Sequence, residues 1–307
     1  MRVFVTGASG WIGSAIVVEL IEAGHQVVGL ARSDTSAAAL VASGAAVHRG
    51  SLDDLDSLRA GAAASDGVIH TAYKHDSFFS GDFQGAAHAD RRAIETLGEA
   101  LVGSERPFVI ASGTAGLWSG VIGTEEDAPE RDSAVWTRVA SEQAALSLAA
   151  RGVRSSIVRS APSVHGEGER GLLAALIEIA RDQGVSGYSG DGSNRWAAVH
   201  RLDAARLFRR ALEKAPAGSV LHAVADEGVP IRAIAEAIGH HLKLAALAVP
   251  DEHAVEHFGW VARFIAADLP ASSTLTRERM GWQPAHPGLI DDLDQGHYFH
   301  NRAVAPA

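Results

Sequence analysis

The chain has 307 residues, a formal net charge of −10 and no cysteine, and 47% of its residues are hydrophobic. This length and hydrophobic content suit one large folded α/β unit, or a main domain with a smaller companion. Without cysteine there is no disulfide framework, no thiolate nucleophile and no cysteine-ligated zinc. The negative charge argues against nucleic acid or an anionic membrane as a partner. The start, MRVFVTGASG, has no basic segment followed by a long apolar run, and no apolar run is long enough to span a bilayer, so a cytoplasmic location is expected.

The chain begins with a predicted strand, a glycine-rich turn and a helix. Residues 2–5 are a short apolar strand, TGASGWIG follows at 6–13, and the aliphatic content of 14–23 indicates a helix. The three glycines permit a tight turn, a close approach of the backbone to a pyrophosphate, and packing of the helix on the strand. The N–H groups at the helix start would hold the anion. We therefore predict a dinucleotide site that contacts Gly7, Ser9, Gly10, Trp11, Ile12 and Gly13.

The end of the second predicted strand, VVGLARS, bears on which dinucleotide is bound. An acidic residue there would bind the ribose hydroxyls of NAD, whereas Arg32 and Ser33 stand at this point of the chain. A guanidinium and a hydroxyl are suited to the additional 2′-phosphate of NADP. The sequence therefore predicts NADP(H), with NAD(H) as an alternative cofactor.

The N-terminal half repeats the order of apolar strand and helix. Further strands are predicted at 46–48, 67–71, 107–111 and 155–159. This order predicts an α/β fold with a Rossmann-type doubly wound parallel sheet, and a smaller C-terminal α/β substrate lobe. Because ligands bind at the carboxyl ends of such strands, residues that follow strands three and four join the predicted cofactor contacts: Ser51, Leu52, Thr71 and Ala72.

The glycine spacing G-x-x-G-x-x-G is one residue longer than the ordinary Rossmann fingerprint, and four later segments accompany it in order. These segments are VIHTA at 68–72, VIASGT at 109–114, VRSAPSVHGEG at 158–168 and AVHRLDAARLF at 198–208. Together they resemble the extended short-chain dehydrogenase/reductase family, also called the NAD-dependent epimerase/dehydratase family. The resemblance covers essentially the whole chain.

The resemblance implies a catalytic tyrosine and a lysine four residues later, but this chain departs from that pattern. Counted back from Glu142, the two positions hold Ala134 and Arg138. The chain is therefore more similar to the atypical members of the family, which lack the tyrosine. Arg138 is expected to hold cofactor ribose hydroxyls and to stabilise an oxyanion, but a guanidinium is a poor acid or base. The alternative is that Arg138 faces water, one helical turn from Glu142.

Another side chain must then move the proton. The loop after strand four, HTAYKHDSFFSGDF, offers the phenol of Tyr73 and the imidazole of His75. After strand five, Ser112 and Thr114 resemble the family's hydroxyl residue that binds a substrate carbonyl. A polar loop tip and turn-capping hydroxyls are the structural alternatives. With Arg138, these four residues form the predicted catalytic set.

From about residue 166 the strand–helix alternation becomes irregular, which resembles the family's smaller substrate-binding lobe. We predict a dinucleotide-binding domain at 1–165 with a return segment at 196–224, a substrate lobe at 166–195 and 225–300, and a tail at 301–307. His165, Tyr188 and Trp196 are predicted substrate contacts, with ordinary packing as the alternative. His200 is expected to be structural, in the strand that returns to the main sheet.

Two histidine pairs resemble functional motifs. HAVEH at 253–257 matches the H-x-x-E-H zinc pattern, but no third ligand is indicated, so no metal is predicted. His240 and His241 close the amphipathic segment IRAIAEAIGHH, where imidazoles can interact favourably with a helix dipole.

Three functions remain open from the sequence. The first is an NADP(H)-dependent oxidoreductase acting on a small carbonyl, alcohol or activated double bond. The second is a catalytically silent NADP(H)-binding sensor or interaction protein, and the third is an NAD-dependent epimerase or dehydratase. Relatives commonly dimerise through paired long helices, so the alanine-rich stretches at 85–102 and 134–150 predict a possible homodimer.

Overall fold

The computed structural model describes residues 1–117, 119–129 and 138–300, except the side chains of residues 78 and 79. Ala134 and the predicted tail at 301–307 lie outside the described residues. The strands are β1 (Arg2–Thr6), β2 (Gln26–Ala31), β3 (Ala46–Arg49), β4 (Gly67–His70), β5 (Pro107–Gly113), β6 (Arg154–Ser160), β7 (Ser163–His165), β8 (Ser186–Ser189), β9 (Arg195–His200), β10 (Ser219–Ala223), β11 (Asp226–Pro230) and β12 (Ala246–Val249).

The α-helices lie between and after these strands. They are α1 (Trp11–Glu22), α2 (Asp34–Ala42), α3 (Leu55–Ala63), α4 (His75–Phe79), α5 (Phe83–Glu99), α6 (Val139–Ser147), α7 (Leu172–Gln183), α8 (Arg201–Lys214), α9 (Ile231–Leu242), α10 (Ala254–Phe258), α11 (Ala262–Ile265), α12 (Thr274–Met280) and α13 (Leu289–Asp294). Within the described residues, no helix combines the length and the hydropathy needed to cross a bilayer.

The main sheet confirms the predicted fold class. Within the described residues, seven parallel strands pair in the order β10-β6-β5-β4-β1-β2-β3. The six strands predicted from the sequence match the observed ones to within two residues at each end. The strand order reverses between β1 and β4, and this switch point is where ligands bind in doubly wound folds.

The two faces of the sheet are covered by different helices. Val3 and Val5 pack in a core with residues of α1 and α8, whereas Phe4 packs in a core with residues of α3, α5 and α6. This alternation follows from the strand period of two, and it explains why the central strands are hydrophobic at almost every position.

Smaller sheets lie in the C-terminal half. β7, β9 and β11 form one of them in the order β11-β9-β7, and β8 pairs with β12 in another. The expectation for His200 needs a correction, because it ends β9 and pairs in register with His165 of β7. The elements that return to the main sheet are α8 and β10. The domain limits drawn from the sequence stay a prediction.

Candidate functional site

The glycine turn connects β1 to α1 and has no space for a side chain at Gly7 or Gly13. Gly7 has a positive φ of 69°, and a Cβ there would lie 2.6 Å from the backbone nitrogen of Ala72. A Cβ on Gly13 would lie 2.0 Å from the carbonyl oxygen of Gly7. Gly10 is the N-cap of α1 and provides no side-chain cap for the first helical amides. The turn therefore holds the backbone in a fixed cradle whose N–H groups are open to an anion.

Three other residues of this turn were predicted to contact the cofactor, and they differ in exposure and in their contacts. Ser9 is exposed at the turn, Ile12 packs partly against the core, and Trp11 donates from Nε1 to the carbonyl oxygen of Val164 over 2.8 Å. Thr71 donates from Oγ1 to the carbonyl oxygen of Thr6 over 2.8 Å, which holds the end of β4 beside the turn. The structure thus brings the turn and the Thr71–Ala72 backbone together.

Ser51 and Leu52 follow β3 at the same edge of the sheet. The Ser51 hydroxyl accepts a hydrogen bond from the backbone N–H of Asp53 over 3.3 Å, and Leu52 packs partly against the core. Their contacts in the structure are local, so their contact with a cofactor stays a prediction.

Arg32 and Ser33 lie where β2 passes into α2. Ser33 is the N-cap of α2 and accepts from the Ser36 backbone N–H, while the Arg32 side chain is 73% exposed. Arg32 contacts Asp76 at 3.4 Å in an ion pair with both partners exposed. Such a pair contributes at most about 1 kcal/mol, so the guanidinium can readily exchange it for a phosphate.

Tyr73, His75 and Arg138 meet beyond the end of β4. The guanidinium carbon of Arg138 lies 4.8 Å from the centroid of the Tyr73 ring, and the Tyr73 and His75 rings pack edge to face at 5.4 Å. Lys74, between the two aromatic residues, pairs instead with Asp53 at 2.6 Å. A phenol, an imidazole and a cation are therefore assembled from two segments distant in sequence.

Asp90 on α5 fixes Arg138 in place. It has no exposed surface and receives two hydrogen bonds from Arg138, at 3.1 Å from Nε and 2.9 Å from Nη2. His70 Nε2 lies 3.2 Å from the same carboxylate, and His70 Nδ1 lies 2.7 Å from the hydroxyl oxygen of Thr6. A buried polar chain thus runs from β1, under the glycine turn, to Arg138.

The pKa directions agree with this geometry. Burial raises the pKa of Asp90, but the Arg138 charge and the hydrogen bond from His70 more than offset burial and hold the pKa at about 2. Desolvation by the surrounding protein, together with the Arg138 charge, lowers the pKa of His75, although the residue keeps exposed surface. At neutral pH, Asp90 is therefore ionised and His75 neutral.

The neighbouring hydroxyls and Glu142 form a second buried group. Glu142 pairs with Arg159 at 2.7 Å and accepts a hydrogen bond from the hydroxyl of Ser112. Arg138 pairs with Asp90 and its side chain is 11% exposed, so the alternative that it faces water beside Glu142 is wrong. The Ser112 hydroxyl is occupied, whereas Thr114 Oγ1 is buried and has no hydrogen-bond partner among the described residues. Of the two hydroxyls, Thr114 is the one without a hydrogen-bond partner in the described part of the chain.

The predicted substrate contacts lie in packed regions. Trp196 is fully buried and donates from Nε1 to the carbonyl oxygen of Phe264, and the 8% exposed Tyr188 accepts from Arg232. His165 is also fully buried, with Nδ1 2.8 Å from Asp292. The structure does not bring these three to the Tyr73–Arg138 cluster, because interior contacts hold their side chains.

The two histidine pairs lie in different surroundings. Across the described chain, no group of three or more His, Cys, Asp or Glu side chains is arranged to hold a metal ion. Within HAVEH, His253 lies 3.7 Å from Glu256, and His257 packs against the Phe258 ring. His240 and His241 occupy the last turn of α9, which confirms their predicted place at a helix end.

Asp90 is the principal site residue that the sequence analysis missed. Its signal was its position on α5, where the buried residues Ala86, Ala87, Ala93, Ile94 and Leu97 surround it at helical spacing. A carboxylate on the apolar face of a helix requires a partner, and that requirement identifies such a residue from sequence alone.

Comparisons with known proteins identify the family of this chain. The model of the NAD dependent epimerase/dehydratase family matches residues 3–224. Uncharacterized protein C2A9.02 of Schizosaccharomyces pombe is 49% identical over 97% of this chain and 100% of its own length. Uncharacterized protein YLL056C of Saccharomyces cerevisiae is 45% identical over 95% of this chain and 98% of its own.

Among solved structures, the dTDP-glucose 4,6-dehydratase DesIV from Streptomyces venezuelae, with NAD bound, matches with a TM-score of 0.77. It is 20% identical to this chain, and the match covers 98% of both chains. At this identity the likeness shows the fold, and the match of the family model over most of the chain shows the family. The chain therefore belongs to the NAD dependent epimerase/dehydratase family.

Proposed function

We propose that the protein is an NADP(H)-dependent oxidoreductase that transfers hydride to or from a small carbonyl, alcohol or activated double bond. One observation carries this proposal: Tyr73, His75 and Arg138 meet at the carboxyl edge of the sheet, beside the glycine turn. The turn itself fits a dinucleotide, because Gly7 and Gly13 have no room for a side chain and the first amides of α1 have no side-chain cap.

The bound dinucleotide supplies or accepts the hydride, and the chain's own residues handle the proton. In carbonyl reduction the carbon gains a hydride and the oxygen gains a proton, which Tyr73 donates from its phenol. Arg138, against the Tyr73 ring, stabilises the negative charge left on the phenol oxygen. The Tyr73 phenolate regains its proton from water through His75, which is neutral at pH 7 and accepts a proton on one ring nitrogen as it gives up the proton on the other. The Thr114 hydroxyl orients the substrate oxygen.

In this proposal Tyr73 and Arg138 replace the tyrosine and lysine that the family resemblance places at Ala134 and Arg138. The phenol comes from the loop after β4 rather than from the segment before α6. The active site is thus atypical in the source of its proton donor, while a cation remains at the position of the lysine.

The proposal is tested by mixing purified protein with NADPH and a panel of small aldehydes, ketones, quinones and enones, and following NADPH absorbance. Oxidation of NADPH with at least one member of the panel is expected. A catalytically silent sensor is the second candidate, since Asp90 already balances the Arg138 charge. Tight NADPH binding without turnover on any substrate would favour it over the reductase. Isomerisation of a nucleotide sugar with tightly retained NAD would favour an epimerase instead.

NADPH is expected to bind more tightly than NADH, because Arg32 can place a guanidinium on the 2′-phosphate. Losing such a charge-assisted hydrogen bond costs about 1.5–3 kcal/mol. Arg32→Ala should therefore weaken NADPH binding by roughly 10- to 100-fold and leave NADH binding unchanged. Protein fluorescence titration measures both affinities.

Arg59 provides the matched control for this prediction, because it is also an exposed arginine in an exposed ion pair, with Asp56. Arg59→Ala should bind both cofactors as the parent does. Equal affinities of the parent for NADPH and NADH, or an Arg32→Ala protein with parental NADPH affinity, would contradict the assignment of NADP.

We also propose a homodimer through α5 and α6, whose described residues line a shared surface groove that includes Arg91, Glu95, Gln143 and Ser147. Light scattering at micromolar concentration should give the mass of a dimer. Ala140→Arg, at an exposed position in the groove, should shift the protein to monomer. A parent protein that is monomeric under these conditions would contradict the proposed dimer.

A further inference from the structure

Arg201, the first residue of α8, is a half-buried cation without an anionic partner among the described residues. Its hydrogen bond within this part of the chain is from Nη2 to the hydroxyl of Ser14, over 3.2 Å. Its Nε is buried and has no partner there. Burial lowers the pKa of this guanidinium, yet an arginine side chain stays protonated at physiological pH. The structure thus leaves a half-buried positive charge without a carboxylate partner among the described residues.

Three other partly buried arginines in the described chain have a carboxylate partner or several acceptors. On the same helix, Arg206 pairs with Asp203 and Arg209 pairs with Glu19. Arg154 has no carboxylate partner but donates to the carbonyl oxygens of Leu212 and Ala215. Arg201 differs from these residues because a single hydroxyl oxygen is its hydrogen-bond acceptor among the described residues.

The position of Arg201 indicates which anion it would bind. Its guanidinium carbon lies 4.0 Å from the centroid of the Trp11 ring, and Trp11 directly follows Gly10 of the glycine turn. Ser14 belongs to the first turn of α1, so Arg201 contacts that turn at two points. The hydrogen bond from Trp11 Nε1 to Val164 fixes the ring on which Arg201 rests. A cation is therefore held beside the helix start whose amides are open to an anion.

We propose that Arg201 binds the pyrophosphate of the dinucleotide, together with the first amides of α1. This inference rests on the proposed cofactor. The Nη groups of a guanidinium match phosphate oxygens in geometry and charge. Because the pyrophosphate is common to NADPH, NADH and ADP, Arg201 contributes to the affinity for all three, whereas Arg32 contributes only where a 2′-phosphate is present.

The experiment titrates NADPH, NADH and ADP against the parent protein and the Arg201→Met and Arg201→Gln variants, by calorimetry or fluorescence. Both variants should lose roughly 10- to 100-fold in affinity for each ligand, by similar factors. Arg210→Met is the control: Arg210 lies on the same helix, is half-buried and donates to the carbonyl oxygen of Met280. This variant should bind all three ligands as the parent does.

Thermal melting without ligand accompanies the titrations. Because Arg201 loses one hydroxyl contact and no carboxylate partner, the Gln and Met variants should melt close to the parent. Parental affinity for the three ligands in either folded variant would overturn this inference and leave the proposed function standing. Weaker binding of NADPH alone would assign Arg201 to the 2′-phosphate and overturn the pyrophosphate role. A parent protein that binds neither dinucleotide would overturn the proposed function and this inference together.

Discussion

Tyr73→Phe is expected to lower kcat for carbonyl reduction by roughly 100- to 10,000-fold, the usual contribution of a positioned general acid. The substitution removes a single oxygen and keeps the ring that packs against Arg138 and His75. NADPH affinity and melting temperature should therefore stay close to those of the parent. Steady-state kinetics on the best substrate of the carbonyl panel measure the effect.

Tyr188→Phe is the matched control, because it removes a phenol oxygen from a residue packed in the C-terminal interior. It should retain the parental kcat. If Tyr73→Phe turned over as fast as the parent, Tyr73 could not be the proton donor, and the catalytic assignment built on the Tyr73–Arg138 contact would fail.

Asp90→Ala is expected to destabilise the protein by about 3–5 kcal/mol, since it leaves the buried guanidinium of Arg138 and the ring of His70 without their shared acceptor. Denaturant unfolding at pH 7 gives the free energy of unfolding. Asp90→Ala/Arg138→Met should be more stable than Asp90→Ala alone, because removing both charges leaves no uncompensated ion.

Asp56→Ala is the control for this prediction, because it breaks an exposed ion pair with Arg59 on α3. It should change the free energy of unfolding by less than about 1 kcal/mol. If Asp90→Ala were as stable as the parent, the Asp90–Arg138 pair would not hold the site together. If the double variant were less stable than Asp90→Ala, Arg138 would be stabilised by contacts other than Asp90.

The same carboxylate sets a pH dependence. The pKa of Asp90 is about 2 in the folded protein, below the value of 3.8 for an unperturbed Asp side chain. A group with a depressed folded-state pKa stabilises the protein fully above the unfolded pKa, and this stabilisation is lost as the pH falls from about 4 towards 2. Comparison of the parent with the double variant across this range isolates the contribution of the Asp90–Arg138 pair.

Much of the fold was predictable because its signals are local in sequence. The glycine turn, the apolar strands and the capped helices each depend on residues within one short window, and the parallel sheet followed from their alternation. Gly7 and Gly13 illustrate this, since the close contacts that exclude a side chain were already implied by their spacing after β1.

The partners of charged side chains were not predictable in the same way. Arg138 and Glu142 are four residues apart, a spacing that predicts a pair on one helix face. In the structure they pair with Asp90 and Arg159, 48 and 17 residues away. Burial makes the difference, because each desolvated charge needs a partner in the core and tertiary packing supplies it.

The C-terminal half was the least predictable. Tyr188 and Trp196 were predicted from the sequence as substrate contacts. In the structure, Tyr188 forms a hydrogen bond with Arg232, and Trp196 forms one with the backbone of Phe264. Side chains of this size fill an interior as readily as they line a cleft, and sequence alone does not show which neighbours surround them.

Deuterium transfer from the nicotinamide ring shows whether the protein catalyses hydride transfer. NADPH deuterated at nicotinamide C4, on each face in turn, is incubated with the protein and the best carbonyl substrate, and the alcohol product is analysed by mass spectrometry. We expect one deuterium per product molecule from one labelled face and none from the other. If neither labelled NADPH transferred deuterium to the product, or no reduced product formed while NADPH remained bound, the protein would not be the hydride-transferring oxidoreductase proposed here.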